Sequence, residues 1–166
     1  LVKSDERITT VKSRIISKQH QMLRYDFEQQ HDLSSTENNA LIASVKKILA
    51  VQKFDAVVME DYNKGVLTET NISVMLKLFA QHKLPVAVDP KQKNFLLYKG
   101  VALFKPNLRE ISEAMKLQVK TTTADLKKAS VWVRKKLSNQ QTIITLGAEG
   151  IFLDDKKTSI IKSSAP

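Results

Sequence analysis

Four short apolar blocks constrain the fold of this chain more than any other feature: Ala56–Met59, Val86–Val88, Val101–Phe104 and Thr142–Leu146. Each is too short for a helix, rich in β-branched or aromatic residues, and apolar on both parities. A strand wet on one face alternates, whereas one covered on both faces reads as a continuous apolar run, the pattern of a parallel sheet between helices. The segments between the blocks carry the helix period: Leu41, Ile42, Val45, Ile48 and Leu49, then Ile72, Met75, Leu76 and Phe79, then Leu108–Leu117 and Leu126–Leu137. Thr36 and Thr68 stand where N-caps are needed, and Pro85 stops the second helix. The pattern predicts an α/β chain, a doubly wound three-layer αβα core. It closes with a hairpin of Ile151–Leu153 and Ser159–Ile161 around Asp154-Asp155.

The opening segment obeys a different rule. Leu23, Tyr25 and Phe27 share one parity while Arg24, Asp26 and Glu28 share the other, and an apolar–polar mixture also runs through Ile8, Val11, Ile15 and Ile16. Two such strands joined at Ser17–His20 make a ribbon that is marginal on its own in water and must cover something. The chain therefore divides into ribbon strands over residues 1–28 and an α/β core over 29–166. A length of 166 residues suits one ordinary domain with an appendage.

Composition removes several classes of function. With no Cys there is no disulfide framework, thiolate zinc site or thiol nucleophile. His20, His31 and His82 fit no metal-ligand spacing. No apolar run approaches the ~18 residues of a membrane helix, and no secretory segment follows Leu1. Lys and Arg exceed Asp and Glu by 27 to 17, a net charge of +10, which attracts anions. The basic residues are scattered in pairs (Lys46–Lys47, Lys127–Lys128, Lys135–Lys136, Lys156–Lys157) without interleaved aromatics, which argues for solvated faces and against nucleic acid.

In an open parallel sheet, ligands bind beyond the carboxyl ends of the strands. The residues there are Asp61-Tyr62-Asn63-Lys64-Gly65, Asp89-Pro90-Lys91, Asn107 with Glu110, and Thr145 with Gly147 and Gly150. Asn107 and Glu110 occupy the first turn of a helix entered through Pro106. That spacing serves a phosphate and the hydration shell of a Mg²⁺ ion, and serves a capping box equally well. The two glycines after Thr145 permit either an amide nest for an anion or a tight strand-to-strand turn. They are not a P-loop, and no GxGxxG is present. The carboxylate–lysine groupings at Asp61/Lys64 and Asp89/Lys91 read as surface ion pairs or as two sides of one crevice. Lys12 and Arg14 on the ribbon could reach a phosphate there.

With these segments in order, the sequence resembles the ribokinase-like (PfkB) carbohydrate kinases, and within them the heptose 7-phosphate kinases. The resemblance runs through TTVKSRIISKQHQMLRYDFE at 9–28, FDAVVMEDYNKGVL at 54–67, LPVAVDPKQKNF at 84–95, YKGVALFKPNLREISEAM at 98–115 and TIITLGAEGIFL at 142–153. It implies ATP-dependent phosphorylation of the anomeric hydroxyl of D-glycero-D-manno-heptose 7-phosphate, for lipopolysaccharide core precursors, in the cytoplasm. Another sugar or sugar-phosphate kinase of the family, or a non-catalytic basic anion- or nucleic-acid-binding module, is the alternative.

Carried over position by position, Asn107 and Glu110 match the family's Asn-x-x-Glu element, implying the nucleotide phosphates and, through water at Glu110, Mg²⁺. Thr145, Gly147 and Gly150 match its Thr-x-Gly-x-x-Gly loop. Asp89 and Lys91 resemble residues near the transferred phosphate, Asp61 and Lys64 line the same edge, and Lys12 and Arg14 lie on what resembles a β lid. The resemblance also implies a homodimer through that lid. The family's Gly-rich sugar-binding segment would precede Leu1, and its GAGD motif with the general base would follow Pro166. The chain is thus expected to be an internal fragment, inactive alone.

Overall fold

In a computed structural model, residues 2–155 and 157–162 are described. The ribbon comes first, β1 (Val11–Ser17) and β2 (His20–Phe27), antiparallel with Val11 opposite Phe27 and Ser17 opposite His20. Then follow α1 (Ser35–Val51), β3 (Val57–Glu60), α2 (Glu69–Gln81), β4 (Val86–Asp89), β5 (Leu103–Phe104), α3 (Leu108–Met115), α4 (Thr123–Leu137), β6 (Gln141–Thr145), β7 (Ile151–Asp154) and β8 (Ser159–Lys162).

The core sheet runs in the order β3-β4-β5-β6-β7-β8. Its first four strands are parallel and the last two antiparallel. Because each crossover from β3 to β6 steps the same way, right-handed connections gather their helices on one side. Register agrees. Met59, Val88, Phe104, Ile144 and Phe152 share a face and join Ile72, Met75 and Phe79 of α2, Ile111 of α3, and Leu126, Val133 and Leu137 of α4 in one core. Phe95 meets Phe104 edge-on inside it, centroids 5.0 Å apart.

Residues of the other parity, Val58, Ala87, Leu103, Ile143 and Leu153, are half-buried or exposed, and Val58 reaches 69% exposure. This stretch thus supplies the sheet and one helical layer of the expected three. The apolar run at Ala56–Met59 reflects a strand with one face packed and the other left open among the described residues.

Local chemistry explains the ends. Ser34, not Thr36, caps α1, because its side chain accepts from Glu37 N–H while the Glu37 carboxylate accepts from Ser34 N–H at 2.8 Å. Thr36 falls inside the first turn instead. Thr68 caps α2 as expected, paired with Asn71. Only Leu103–Phe104 of the third apolar block forms ladder pairs; Val101 and Ala102 lead in, buried and half-buried. The C-terminal hairpin forms as read, although Lys156 lies outside the described residues. No helix among the described residues is long and apolar enough to cross a membrane.

Candidate functional site

Three of the four polar strand ends meet in one group, as the parallel order of their strands requires. The Lys91 ammonium donates to Glu110 Oε1 at 2.5 Å. Glu110 Oε2 accepts the Asn107 N–H at 2.9 Å, and Asn107 Oδ1 accepts the Glu110 N–H at 2.8 Å. Asn107 also bridges to Thr145 in parallel fashion, with Thr145 N–H donating to Pro106 O at 3.0 Å. Lys91, Asn107, Glu110 and Thr145 therefore form one contiguous group across three strand ends. Of the two readings of Asn107 and Glu110, the capping box is the one the bonds show, and its carboxylate also draws Lys91 to the amino end of α3. Glu110 holds the Lys91 ammonium above the ordinary lysine range against partial burial, with Asp89 and Tyr62 adding to the pull.

Gly147 and Gly150 bracket a single 3-10 turn, Gly147–Glu149, at φ +63° and +98°, and Leu146 N–H donates to Gly150 O at 2.8 Å. The tight turn is what the glycines build, and it sits directly after Thr145 beside the Asn107 helix start. Asp89 pairs with Lys105 at 2.8 Å rather than bonding to Lys91.

Three expected residues are placed differently from their neighbours. Asp61 is 4% exposed and turned inward. Its Oδ1 accepts the Asn63 N–H at 2.8 Å, and its Oδ2 accepts from Tyr98 OH at 2.7 Å and Asn94 Nδ2 at 2.8 Å. The Lys64 ammonium pairs with Glu28 at the foot of the ribbon. Lys12 reaches the core, its ammonium 5.5 Å from the centroid of the exposed Tyr62 ring. Arg14 stays out on the ribbon opposite Arg24 and joins no part of the strand-end group.

The ribbon's foot is fixed firmly. Arg7 donates to His31 O at 2.6 Å and also to Lys64 O. Leu33 N–H donates to Gly65 O at 2.9 Å. Sequence reasoning missed Arg7, Tyr98 and Asn94. The Asp61-x-Asn63 spacing is a legible turn signal, but nothing local in the sequence joins Arg7 to a carbonyl 57 positions away.

A Mg²⁺ ion fits this group in one manner only. No cluster of three or more metal-ligating side chains occurs among the described residues. Both Glu110 oxygens are engaged, so the donor set suits an ion that arrives on phosphate oxygens and keeps its waters.

The family model of the pfkB family carbohydrate kinases matches residues 1–166. The chain belongs to that family. It is 31% identical over 160 residues to the bifunctional protein HldE of Aliarcobacter butzleri, an alignment covering 96% of this chain and 33% of that protein. It is 34% identical over 159 residues to HldE of Wolinella succinogenes, again 96% and 33%. The chain thus spans about a third of the length of these curated relatives. Among solved structures it resembles Escherichia coli phosphofructokinase-2 in complex with fructose-6-phosphate, with a TM-score of 0.66 at 17% identity, covering 87% of this chain and 48% of that one. It also resembles an ADP complex of Bacillus subtilis pyridoxal kinase, with a TM-score of 0.58 at 20% identity, covering 95% and 61%. These likenesses establish the ribokinase-like α/β fold.

Proposed function

We propose that this chain is part of an ATP-dependent sugar kinase that phosphorylates the anomeric hydroxyl of D-glycero-D-manno-heptose 7-phosphate, a precursor step for the lipopolysaccharide core. The observation that carries the reading is the contiguous Lys91–Glu110–Asn107–Thr145 group at the carboxyl ends of parallel strands. The resemblance to the heptose 7-phosphate kinases, together with the likeness to the HldE proteins, supports the heptose over other sugars.

Phosphoryl transfer demands positioning and charge neutralisation more than covalent chemistry. Lys91 presents its ammonium toward the transferred phosphate. The amino end of α3 and the turn at Gly147–Gly150 receive the nucleotide phosphates, with Thr145 between them. Glu110 orients Lys91 and faces the hydration shell of Mg²⁺, which when bound neutralises charge on the phosphate oxygens. Asp89 sets Lys105 alongside. Lys12, held over Tyr62, is the ribbon cation placed to meet the sugar's own phosphate, and Arg14 enters only when the ribbon closes further. With ATP as donor, the reaction belongs in the cytoplasm.

Asp61, Asp89 and Glu110 are all committed to partners, so none stands ready to take a proton from a sugar hydroxyl. The 166-residue chain by itself is therefore expected not to turn over.

The ribbon supplies a partner surface as well. Val11, Ile15, Leu23, Tyr25 and Phe27 lie on one face and are 53–60% exposed, which suits a second copy packed ribbon to ribbon.

The test is 31P NMR of product formed from MgATP and a panel of heptose 7-phosphate, fructose 6-phosphate and ribose by the protein carrying this stretch. Loss of MgATP binding on Lys91→Ala is expected. Phosphorylation of another sugar in preference to the heptose would overturn the substrate, and heptose bisphosphate made by the 166-residue chain would overturn the missing-base argument.

A further inference from the structure

We propose that Asp61 is a positioning residue, whose buried carboxylate locks the loop bearing Tyr62 and Lys64 to the turn bearing Lys91 and so fixes where the Lys91 ammonium stands. The proposal rests on the reading above only in giving Lys91 its role at the phosphates.

Asp61 directly follows β3, and its backbone N–H continues the ladder to Asp89 O at 3.0 Å. Its side chain then faces two directions. Toward its own loop, Oδ1 accepts the Asn63 N–H, closing a turn whose residue 63 sits at φ +54°. Toward the neighbouring strand end, Oδ2 accepts from Tyr98 and from Asn94, both almost fully buried. Asn94 spends its second amide hydrogen on Leu67 O at 2.9 Å, so its side chain is wholly committed to the 61–67 segment.

Asn94 closes the single 3-10 turn Gln92–Asn94 that Lys91 opens. Lys91 in turn reaches Glu110. A continuous chain of bonds thus runs from the Tyr62 loop through Asp61 and Asn94 to Lys91 and the start of α3. A carboxylate at 4% exposure without a cationic partner is costly unless its lone pairs are filled, and three donors fill them here. The same burial and bonding keep the Tyr98 hydroxyl protonated far beyond the ordinary tyrosine range. Both oxygens of Asp61 are engaged within the protein. An amide in its place has a single oxygen: turned to Tyr98 and Asn94 it opposes its NH₂ to the Asn63 N–H, and turned to Asn63 it opposes that NH₂ to Asn94, so only a carboxylate serves both sides of the link.

Competitive acetylation of lysines, mapped by mass spectrometry on the 166-residue chain without nucleotide or sugar, tests this. Glu110→Gln sets the labelling rate of a released Lys91. Asp61→Ala and Asn94→Ala are each expected to speed Lys91 labelling at least about threefold relative to the exposed Lys46 and Lys77. Tyr98→Phe, which keeps the Asn94 bond, is expected to change it less than about twofold while lowering the urea midpoint. Asn94→Ala preserves Asp61 and Tyr98, so it decides the matter if the Asp61 variant fails to fold. Native labelling of Lys91 in folded Asn94→Ala protein would overturn the proposal, since Asp61 would then serve local stability alone. Whether MgADP shields Lys91 in the native chain speaks separately to the nucleotide site and leaves this result standing.

Discussion

Gly65 offers the sharpest test of how the ribbon is held to the core. It sits at φ +74°, and an added Cβ would fall 1.8 Å from His31 O, 2.5 Å from His31 C and 2.9 Å from Asp32 Cα, all of them backbone. Gly65→Ala first incurs the left-handed backbone term, about 1–2 kcal/mol. Relief of the clash then requires His31 to retreat by more than about 1 Å, since real Cβ contacts essentially never fall under 3.0 Å. That retreat strains the Leu33 N–H to Gly65 O bond and the Arg7 bond to His31 O. A neutral hydrogen bond contributes about 1 kcal/mol and one to a charged group about 1.5–3 kcal/mol, so the total loss is expected at up to about 3.5–6 kcal/mol. Gly100 is the control, with nearly the same φ of +71° and no atom within 4 Å of its added Cβ. Gly100→Ala should show the backbone term alone. Urea unfolding of both variants measures the difference. If Gly65→Ala destabilises no more than Gly100→Ala, the close contact of the ribbon's foot with the 61–65 loop is not a feature of the folded protein.

Asp154 is fully buried at the end of β7 and takes bonds from Lys127 at 2.6 Å, Ser130 at 2.5 Å and Arg134. Asp154→Ala leaves cations around an emptied site and is expected to cost about 3–5 kcal/mol in urea unfolding; a loss under about 1 kcal/mol would show that the cluster does not hold α4 to the sheet. Glu28, bonded by Lys64, and Glu37, bonded by Ser4 and Ser34, both titrate below the ordinary glutamate value of 4.5. Their contribution is present above that value and is lost as pH falls through their lowered folded values. Stability should therefore decline below about pH 4.5, and the Glu28→Gln, Glu37→Gln double variant should show a shallower acid limb. The proposed ribbon-to-ribbon pairing predicts a concentration-dependent dimer in analytical ultracentrifugation that Tyr25→Asp converts to monomer without lowering the urea midpoint of the core; an unchanged sedimentation profile would overturn the pairing.

The fold was largely legible because it is written in repetition. Four apolar blocks interspersed with four helix-period segments admit few arrangements, and each block became a strand of one sheet. The second helical layer was not legible, since apolar residues on both parities of β3 and β4 cannot state whether the residues covering them lie in the same stretch. At the site, Asn107, Glu110, Thr145 and Lys91 were readable because strand order alone brings their loops together. The directions of the Asp61 and Lys64 side chains were not legible, for a common reason. A carboxylate and a lysine near a crevice look alike whether they point into it or away, and only their long-range partners, Tyr98 for one and Glu28 for the other, decide the direction. The N-cap of α1 slid to Ser34 because Glu37 lies three residues after Ser34, and reciprocal bonding outweighs a lone threonine.

The strand order β3-β4-β5-β6 never doubles back. Its parts therefore enter the site in the sequence in which a ribosome would release them: 61–64, then 89–91, then 107–110, then 145–150. Each newcomer docks on an edge already standing, so closing the pocket demands no search across distant regions of the chain, and loop-closure cost accrues in small instalments. A strand-end group of this design can mature stepwise during synthesis, each stage giving the next its template.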